Sequence, residues 1–467
     1  AERSHQDAHA DRVHLLPTLL HRCPLYHPRR QSAVHRRRTG VERHIHFHDL
    51  AHRGNLGGIQ AQEMAVIKIY NTLSREKEIF KPIKTGTVGM YHCGPTVYDT
   101  PHIGNYRTFV MNDLLRRTFE YFGYKVDQVM NITDVDDKTI RKSREQGVSL
   151  KEVTEKYEKM FLDGLKLLNI LTPTRLIKAT DSIQDMIGLI ESLIAKGFAY
   201  IANDGVYMSI DKVKDYGRLA GINGTEVRSQ YQDRISGTRE RIANDEYDKE
   251  NPKDFALWKF KMPEDGDNSW QAPFGEGRPG WHIECSAMAI KALGSTIDIH
   301  TGGADLIFPH HTNEIAQSEC ATGQKFANYW MHGGFMTIRD DKMSKSKDNI
   351  VKFEDLANKS LTPIAYRYWL LTAHYRSPVN FSFEALEAAQ NALSKLISAV
   401  SSYPDGGMVI EAYKSRFEAY VGDDIDMPKA VALAWELVKD DGQTPANKKV
   451  TLLDFDRVFG LNLRAAE

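Results

Sequence analysis

The chain has 467 residues, enough for about three domains with separate hydrophobic cores. Its 61 Lys and Arg residues balance 62 Asp and Glu residues, which argues against a general nucleic-acid-binding charge and against an acidic disordered protein. Four widely separated cysteines argue against a disulfide framework and favour a reducing compartment with catalytic or metal-binding thiols: Cys23, Cys93, Cys285 and Cys320.

The composition also bears on the compartment. No apolar run reaches the ~18 residues that a membrane span needs, so we expect a cytoplasmic protein without a membrane partner. Any polyanionic partner must be bound by a local group of basic residues, because the whole chain carries almost no net charge.

The first 63 residues differ in composition from the rest of the chain. They contain no lysine, ten arginines and ten of the eighteen histidines, and they lack a sustained apolar period. Alternating histidines within them share one face of a strand and could bind a metal: His44, His46 and His48. We interpret residues 1–63 as a non-native or disordered leader, with the natural start at Met64, and a transit peptide is the alternative.

From Met64 onward the chain has the pattern of a folded enzyme. Apolar and β-branched runs predict strands within 66–83 and 87–94, and the second run ends at a Gly-Pro turn. Apolar residues close to helical spacing predict a helix over 105–123, and residues 124–133 have the pattern of another strand. Strand, turn, helix and strand together predict a βαβ unit.

The turn before this helix suits a phosphate group. It contains the string His102-Ile103-Gly104-Asn105, which the βαβ unit places at the amino end of the helix. Helix amino ends present N–H groups to anions, and Gly104 allows a nucleotide to approach the backbone. His102 can donate a hydrogen bond to a phosphate oxygen during its displacement, although a histidine at a helix start is often only structural.

A second candidate for phosphate chemistry lies in residues 339–350, "RDDKMSKSKDNI". Three lysines alternate with two serines there: Lys342, Lys345 and Lys347 with Ser344 and Ser346. A charged run is commonly a solvated surface, but a cationic loop is also what a triphosphate needs while charge builds up on its leaving pyrophosphate.

The two strings together resemble the signatures of class I aminoacyl-tRNA synthetases. "HIGN" and "KMSKS" carry that resemblance, and other segments narrow it to the cysteinyl-tRNA synthetases over residues 64 to about 400. Those segments are "YHCGPTVYDTPHIGN", "NITDVDDK", "RPGWHIECSAMA", "HTGGADLIFPHHTNEIAQSE" and "NYWMHGGFM". The resemblance implies an α/β fold, with a Rossmann-like parallel-sheet catalytic core, a connecting insertion and a C-terminal α-helical bundle.

The resemblance also implies a division of the chain. The expected parts are the first half of the nucleotide-binding catalytic domain (64–190), the connecting insertion (191–278), the second half of the catalytic domain with a zinc site (279–338), the KMSKS loop with a stem-contact region (339–385) and a helical tRNA-binding bundle (386–467).

A zinc site with one ion per chain is implied on four residues: Cys93, Cys285, His310 and Glu314. The residues support this independently, because two sulfurs, an imidazole and a carboxylate can complete a tetrahedral shell. His310 and Glu314 lie four residues apart after Pro309, so a helix would present both on one face. Each cysteine could instead be a core residue, and His311 could replace His310 as the ligand.

The resemblance further implies a cysteine-binding pocket lined by Gly94, Thr133, Trp281 and Asp305. Trp281 would form an apolar wall, and Asp305 would pair with the substrate ammonium group. Strand packing is the alternative role for Thr133 and Trp281. Zinc would accept the thiol of cysteine and discriminate against the hydroxyl of serine, which an apolar pocket could not do to a comparable extent.

The implied reaction has two steps. The carboxylate of L-cysteine attacks the α-phosphorus of ATP, bound with Mg²⁺, and the cysteinyl group then passes from the adenylate to tRNA(Cys). The residues expected to stabilise the transferred charge are His102, Asn105, Lys342 and Lys345; ATP would contact His102, Gly104, Asn105 and Lys345. We assign no general base, and we expect a monomer.

Three departures from the family pattern leave alternatives open. Asn105 stands where many class I enzymes have a second histidine, Lys347-Asp348 replaces an apolar residue and a glycine, and the chain stops at Glu467 without a small terminal module. A cysteine ligase of the same superfamily that acts on an amino-sugar amine is therefore one alternative. A non-catalytic paralogue that binds tRNA or nucleotide is another, although the predicted His102, Lys345 and zinc ligands argue against it.

Overall fold

The computed structural model describes residues 66–222, 254–338, 341–342 and 350–464, with the backbone alone for 341–342. All of them belong to one compact unit, Ala61–Glu467. The predicted leader with its alternating histidines and most of the lysine string, including Lys345, lie outside the described residues.

The secondary structure alternates strands and helices in its first half and is mainly helical at its end. The described strands are β1 (Lys68–Asn71), β2 (Glu76–Ile79), β3 (Thr87–His92), β4 (Lys125–Ile132), β5 (Arg175–Lys178), β6 (Ala199–Ile201), β7 (Gly205–Met208), β8 (Phe255–Phe260), β9 (Gly277–Pro279), β10 (Ile297–Gly303), β11 (Ala327–Gly333), β12 (Met336–Ile338), β13 (Asp341–Lys342) and β14 (Val379–Phe381). The described α-helices are α1 (Ile103–Tyr121), α2 (Asp137–Gln146), α3 (Leu150–Leu167), α4 (Ile183–Ala195), α5 (Trp281–Leu293), α6 (Thr312–Thr322), α7 (Phe353–Ala357), α8 (Pro363–Leu371), α9 (Phe383–Ser402), α10 (Glu411–Val421), α11 (Met427–Lys439) and α12 (Pro445–Phe459).

The central sheet is parallel, with five strands in the order β11-β10-β3-β4-β5. Strands β4 and β5 are added in chain order on one side of β3, and β10 and β11 are added later on its other side. Residues of these strands are buried on both faces, as in other parallel sheets covered by helices. The predicted α/β class is confirmed, and the reversal of strand order opens a crevice at the carboxyl ends of β3 and β10.

Helix α1 connects β3 to β4 and confirms the predicted βαβ unit. It begins after the N-cap residue His102 and ends before Gly123, whose φ of 84° lies in the left-handed region that favours glycine. The apolar residues that predict the helix form its buried face: Phe109, Leu114 and Phe119.

A second sheet lies outside the parallel core. It has four antiparallel strands in the order β6-β7-β8-β9, and all of their residues except Pro279 lie within the segment predicted as a connecting insertion. Ion pairs attach it to α2, because Asp137 accepts hydrogen bonds from Lys259 at 2.7 Å and from Arg278. These charges are mutually compensated, so their partial burial is tolerated.

Helices α9 to α12 form the helical end of the chain, as predicted. Phe417 and Phe455 stack there with ring centroids 4.1 Å apart. The fully buried Arg367 of α8 joins this region to α1 by donating to the Asp113 carboxylate at 2.5 Å and to the Phe459 carbonyl at 2.7 Å. Across the described helices, none combines the length and apolar character that crossing a bilayer requires.

Candidate active site

Four buried donor side chains converge at the crevice of the central sheet. Their ligand atoms all lie within 4.8 Å of one another, and they belong to Cys93, Cys285, His310 and Glu314. Cys93 directly follows β3, Cys285 lies in the second turn of α5, and Glu314 lies in the first turn of α6. Three separate elements thus bring together the residues predicted from the sequence.

The distances fit a tetrahedral metal site. The two sulfurs are 3.7 Å apart, and two sulfurs bound to one tetrahedral zinc would be about 3.8 Å apart. Glu314 Oε1 lies 3.5 Å from Cys93 Sγ and 3.0 Å from His310 Nε2. The donor set therefore fits zinc in both chemistry and spacing.

His310 and Glu314 face each other four residues apart, as the sequence predicts, but they do not share one regular helix. The backbone over Ile307–His311 forms a wider turn that includes an extended Phe308, and the α-helix begins only at Thr312. The side chains of His310 and Glu314 are nevertheless in contact, because this turn places His310 on the same side as Glu314.

A second donor set overlaps the first. It shares Cys93 and Glu314 and adds His300 and His311. His311 Nε2 is 3.3 Å from Cys93 Sγ, and His300 Nε2 is 2.7 Å from Glu314 Oε2. Both histidines considered as ligands thus reach the cluster, but the set with His310 offers two sulfurs and the set with His311 offers one.

The charges of the metal-free cluster follow from its burial and its internal contacts. The hydrogen bond from Cys93 lowers the pKa of Cys285 to about 6, whereas burial raises the pKa of Cys93 well above its usual value. Burial alone would lower the pKa of His310, but Glu314 and Cys285 raise it to about 10. At neutral pH the cluster therefore holds a thiolate, an imidazolium and a thiol, so a metal ion must displace protons to bind.

Other histidines hold the two candidate ligands in place. His310 Nδ1 lies 2.8 Å from His282 Nδ1, and His311 Nδ1 lies 2.8 Å from His332 Nε2. Outer contacts of this kind orient ligating imidazoles. Sequence reasoning missed these partners; for His332 the available signal was a polar residue within a buried apolar strand, "ANYWMHG".

Two residues of the predicted cysteine pocket are linked by buried hydrogen bonds. Gly94 N–H donates to Asn131 Oδ1 at 2.8 Å, and Asn131 Nδ2 donates to Thr133 Oγ1 at 3.2 Å. Thr133 Oγ1 then donates to Glu284 Oε2 at 2.8 Å. A Cβ atom at Gly94 would lie 1.7 Å from the Asn131 carbonyl oxygen, so only glycine fits there. Asn131 and Glu284 were not predicted, since their partners are distant in sequence.

The other two pocket residues occupy exposed positions. The ring of Trp281 stacks on His310 with centroids 4.2 Å apart and is 40% exposed, which places it at the edge of the donor cluster. Asp305 lies on the exposed turn that follows β10, beside Gly303. The structure thus brings Trp281 to the cluster and leaves Asp305 exposed on the turn after β10.

The predicted phosphate-binding turn lies at the amino end of α1. Asn105 Oδ1 accepts a hydrogen bond from His102 N–H at 3.0 Å, so the asparagine oxygen caps the helix and its side chain is exposed. The backbone of Lys342 lies in β13, which pairs with β12. His102 and Gly104 are half-buried, and Lys345 lies outside the described residues.

The fold and the family match together place the chain among the class I tRNA synthetases. The family described as "tRNA synthetases class I (C) catalytic domain" matches residues 79–391. A Mycobacterium tuberculosis methionyl-tRNA synthetase bound by methionyl-adenylate shares the fold, with a TM-score of 0.55 at 16% identity, over 82% of this chain and 90% of that one.

Relatives of higher identity narrow the family. "Cysteine--tRNA ligase" of Brachyspira hyodysenteriae is 44% identical over 388 residues, which cover 80% of each chain. "Cysteine--tRNA ligase 1" of Burkholderia lata is 44% identical over 411 residues, which cover 85% of each chain. This chain belongs to the cysteine--tRNA ligase family, and the resemblance found in the sequence is confirmed.

Proposed function

We propose that the chain activates L-cysteine with ATP and transfers it to tRNA(Cys). The observation that carries this proposal is the buried cluster of Cys93, Cys285, His310 and Glu314 beside the carboxyl end of β3. A parallel sheet followed by a helix with a phosphate-binding turn supports nucleotide chemistry in general. A metal site with two sulfur ligands, in contrast, favours a substrate that carries a thiol.

These four residues would hold zinc. Bound there, zinc would supply an affinity for the substrate sulfur that a serine hydroxyl does not match. The ligands belong to elements packed in the core, so selection of the amino acid depends on a site that exists before the substrate arrives. No separate proofreading site is then needed for serine.

The remaining pocket residues would orient the amino acid. We assign Asp305 to the ammonium group and Trp281 to the apolar wall, next to the donor cluster on which it stacks. Gly94 and Thr133 would complete the pocket, and their positions are supported by the hydrogen bonds through Asn131 and Glu284.

The chemistry of activation would take place at the amino end of α1. The carboxylate of cysteine attacks the α-phosphorus of ATP, the bond to pyrophosphate breaks, and cysteinyl-adenylate forms. His102, Asn105 and the backbone near Gly104 stabilise the developing negative charge together with Lys342 and Lys345, and Mg²⁺ accompanies the ATP. A hydroxyl of the terminal adenosine of tRNA then attacks the acyl carbon, and AMP leaves.

Further proposals concern the setting of the reaction. We assign the protein to the cytoplasm, because both cluster thiols must stay reduced to bind a metal, and Cys93 and Cys285 are free thiols. We also propose that it works as a monomer, since all predicted site residues come from one chain.

Two assays on the purified chain test the proposed function. Cysteine-dependent exchange of pyrophosphate into ATP measures activation, and charging of tRNA(Cys) with cysteine measures transfer. We expect both, with serine rejected in each. Exchange without tRNA charging, but with transfer to an amino-sugar amine, would show the alternative ligase; absence of exchange and charging would show a non-catalytic relative.

A further inference from the structure

Arg107 of α1 is a buried cation whose partners are backbone carbonyls. Only 6% of its surface is exposed, and its guanidinium donates to the carbonyl oxygens of Phe335, Tyr375 and Ser377. No ion pair joins it to a carboxylate in the part of the chain that the structure describes. Burial lowers the pKa of Arg107 to about 10, so the side chain is still charged at neutral pH.

The three carbonyls lie where a small sheet begins. This sheet contains β12, β13 and β14, with β12 in the middle. The Phe335 carbonyl, just before β12, also accepts from the N–H of Val379 at the start of β14, at 3.0 Å. The Tyr375 carbonyl also accepts from Gly334 N–H at 2.8 Å. Arg107 therefore binds the point at which both strands enter the sheet.

The same small sheet carries the first lysine of the KMSKS string. Strand β12 pairs with β13 so that Thr337 lies opposite Lys342. Thr337 is two residues after Phe335, whose carbonyl Arg107 binds. Arg107 thus connects α1, whose amino end carries His102 and Asn105, to the strand pair that carries Lys342.

A second contact joins the first residue of α1 to the other end of the lysine string. Ile103 N–H donates to the Val351 carbonyl at 2.8 Å, and the Ile103 carbonyl accepts from Tyr366 Oη at 2.8 Å. Through Arg107 and Ile103 together, the first two turns of α1 therefore contact residues that precede and residues that follow that string in the sequence.

We propose that Arg107 is a positioning residue for adenylate formation, which holds the His102 end of α1 at a fixed separation from the sheet that carries Lys342. The inference rests on the proposed function. Arginine suits this role because its five N–H donors form a rigid fork, which lysine lacks. Arg107 lies only about 7.5 Å along the helix from His102, so a change in its contacts displaces the reacting end directly.

The predicted consequence is a loss of rate with little loss of cysteine binding. Groups on α1 and on the small sheet must together stabilise charge on one triphosphate. A displacement of about 1 Å between such groups can reduce the rate of the catalysed reaction by roughly a hundredfold. We expect Arg107→Gln to lower kcat of pyrophosphate exchange by roughly tenfold to a hundredfold. The KM for cysteine should change less than about twofold, because the thiol site lies on other elements.

Three variants test this inference: Arg107→Gln, Arg107→Lys and the control Arg116→Gln. Arg116 lies on the same helix and donates to Glu120 and to the Thr172 carbonyl, away from the small sheet. We expect the control to match the wild type and Arg107→Lys to regain part of the lost kcat. Zinc content and the rate of transfer from preformed cysteinyl-adenylate to tRNA should stay near wild type in all three.

Two results would overturn the inference. One is a kcat for Arg107→Gln that equals that of the Arg116→Gln control. The other is a fall in kcat that comes with an equal loss of zinc, cysteine affinity and transfer rate, since that pattern belongs to general destabilisation. Failure of the wild type to exchange pyrophosphate would refute the proposed function instead, so the two failures are distinguishable.

Discussion

The donor cluster, which includes Cys93 at the end of β3, and the amino end of α1, which follows in the chain, are built in opposite ways. The cluster residues are at most 8% exposed, and other buried side chains hold them in place. The α1 turn presents an exposed Asn105 and half-buried His102 and Gly104. Selection of a thiol requires a dry site with fixed ligands, whereas stabilisation of charge on ATP requires backbone and side chains that a large anion can reach. Under the proposed function, amino-acid selection and catalysis therefore belong to two separately built regions.

Loss of one metal ligand should have the largest effect and should act on the cluster alone. In Cys285→Ser an oxygen replaces a sulfur that zinc prefers, so we expect loss of bound zinc and a fall in cysteine activation of roughly a thousandfold. Elemental analysis and pyrophosphate exchange measure the two effects. The matched control is Cys320→Ser on α6, outside the cluster, which should keep both; full activity of Cys285→Ser without zinc would refute the assignment.

Zinc uptake by the donor cluster should also depend on pH. In the metal-free cluster His310 keeps its proton up to a pKa of about 10, and the pKa of Cys93 is raised by burial, so both protons must leave when zinc binds. Apparent zinc affinity should therefore rise with pH, by up to about a hundredfold per unit for two protons. Competition with a chelator between pH 6.5 and 8 measures this; a flat profile would contradict the predicted charges.

Loss of a lysine from the KMSKS string should affect the chemistry on ATP and leave the donor cluster intact. If Lys345 stabilises charge that grows in the transition state, Lys345→Ala should lower the rate of activation by about a hundredfold, with cysteine affinity unchanged. Lys347→Ala removes the same charge two residues away and should have a smaller effect. Steady-state pyrophosphate exchange separates kcat from KM for cysteine. Weakened cysteine binding at a normal rate would show that the two regions are not separate.

Replacement of each adjacent histidine would sharpen the description of the cluster. His310 belongs to the donor set with two sulfurs and His311 to the set with one. We therefore expect His310→Ala to weaken zinc binding by at least about tenfold more than His311→Ala. Zinc dissociation measured with a chromophoric chelator gives the comparison. The reverse order would identify His311 as the ligand.

The smallest effect is expected at Asn105. Its side-chain oxygen accepts from His102 N–H, so Asn105→Ala removes a helix cap and should cost about 1 kcal/mol of stability. It also removes the exposed amide. Loss of one hydrogen bond from this amide to ATP should slow activation by roughly fivefold. Chemical denaturation and pyrophosphate exchange measure the two effects. Unchanged zinc content is the internal control.

The sequence contains the local part of this site but not its long-range part. His310 and Glu314 are predictable because their four-residue spacing is a local pattern, and the contact survives even though the regular helix begins later than expected. Cys93 and Cys285 lie 192 residues apart, and only the fold brings their sulfurs to 3.7 Å. The family resemblance supplied that pairing.

The sheet and its helices were predictable for the same reason. Short β-branched runs and helical spacing specify β3, α1 and β4 one at a time, and the parallel order follows from their alternation. Partners such as His300 and Arg107 were not predictable, since the atoms they bind come from distant segments and leave no periodic signal.

The buried Arg367 has a consequence for how the molecule unfolds. It joins α8 to the Asp113 carboxylate on α1, to the Leu168 carbonyl at 3.1 Å and to the Phe459 carbonyl at the end of the last helix. If the terminal helices melted first, the buried Arg367 guanidinium would lose the Phe459 carbonyl that accepts from its Nε, and a charged donor would be left without that partner, which is costly. We therefore expect the terminal helices to unfold together with the parallel sheet rather than before it.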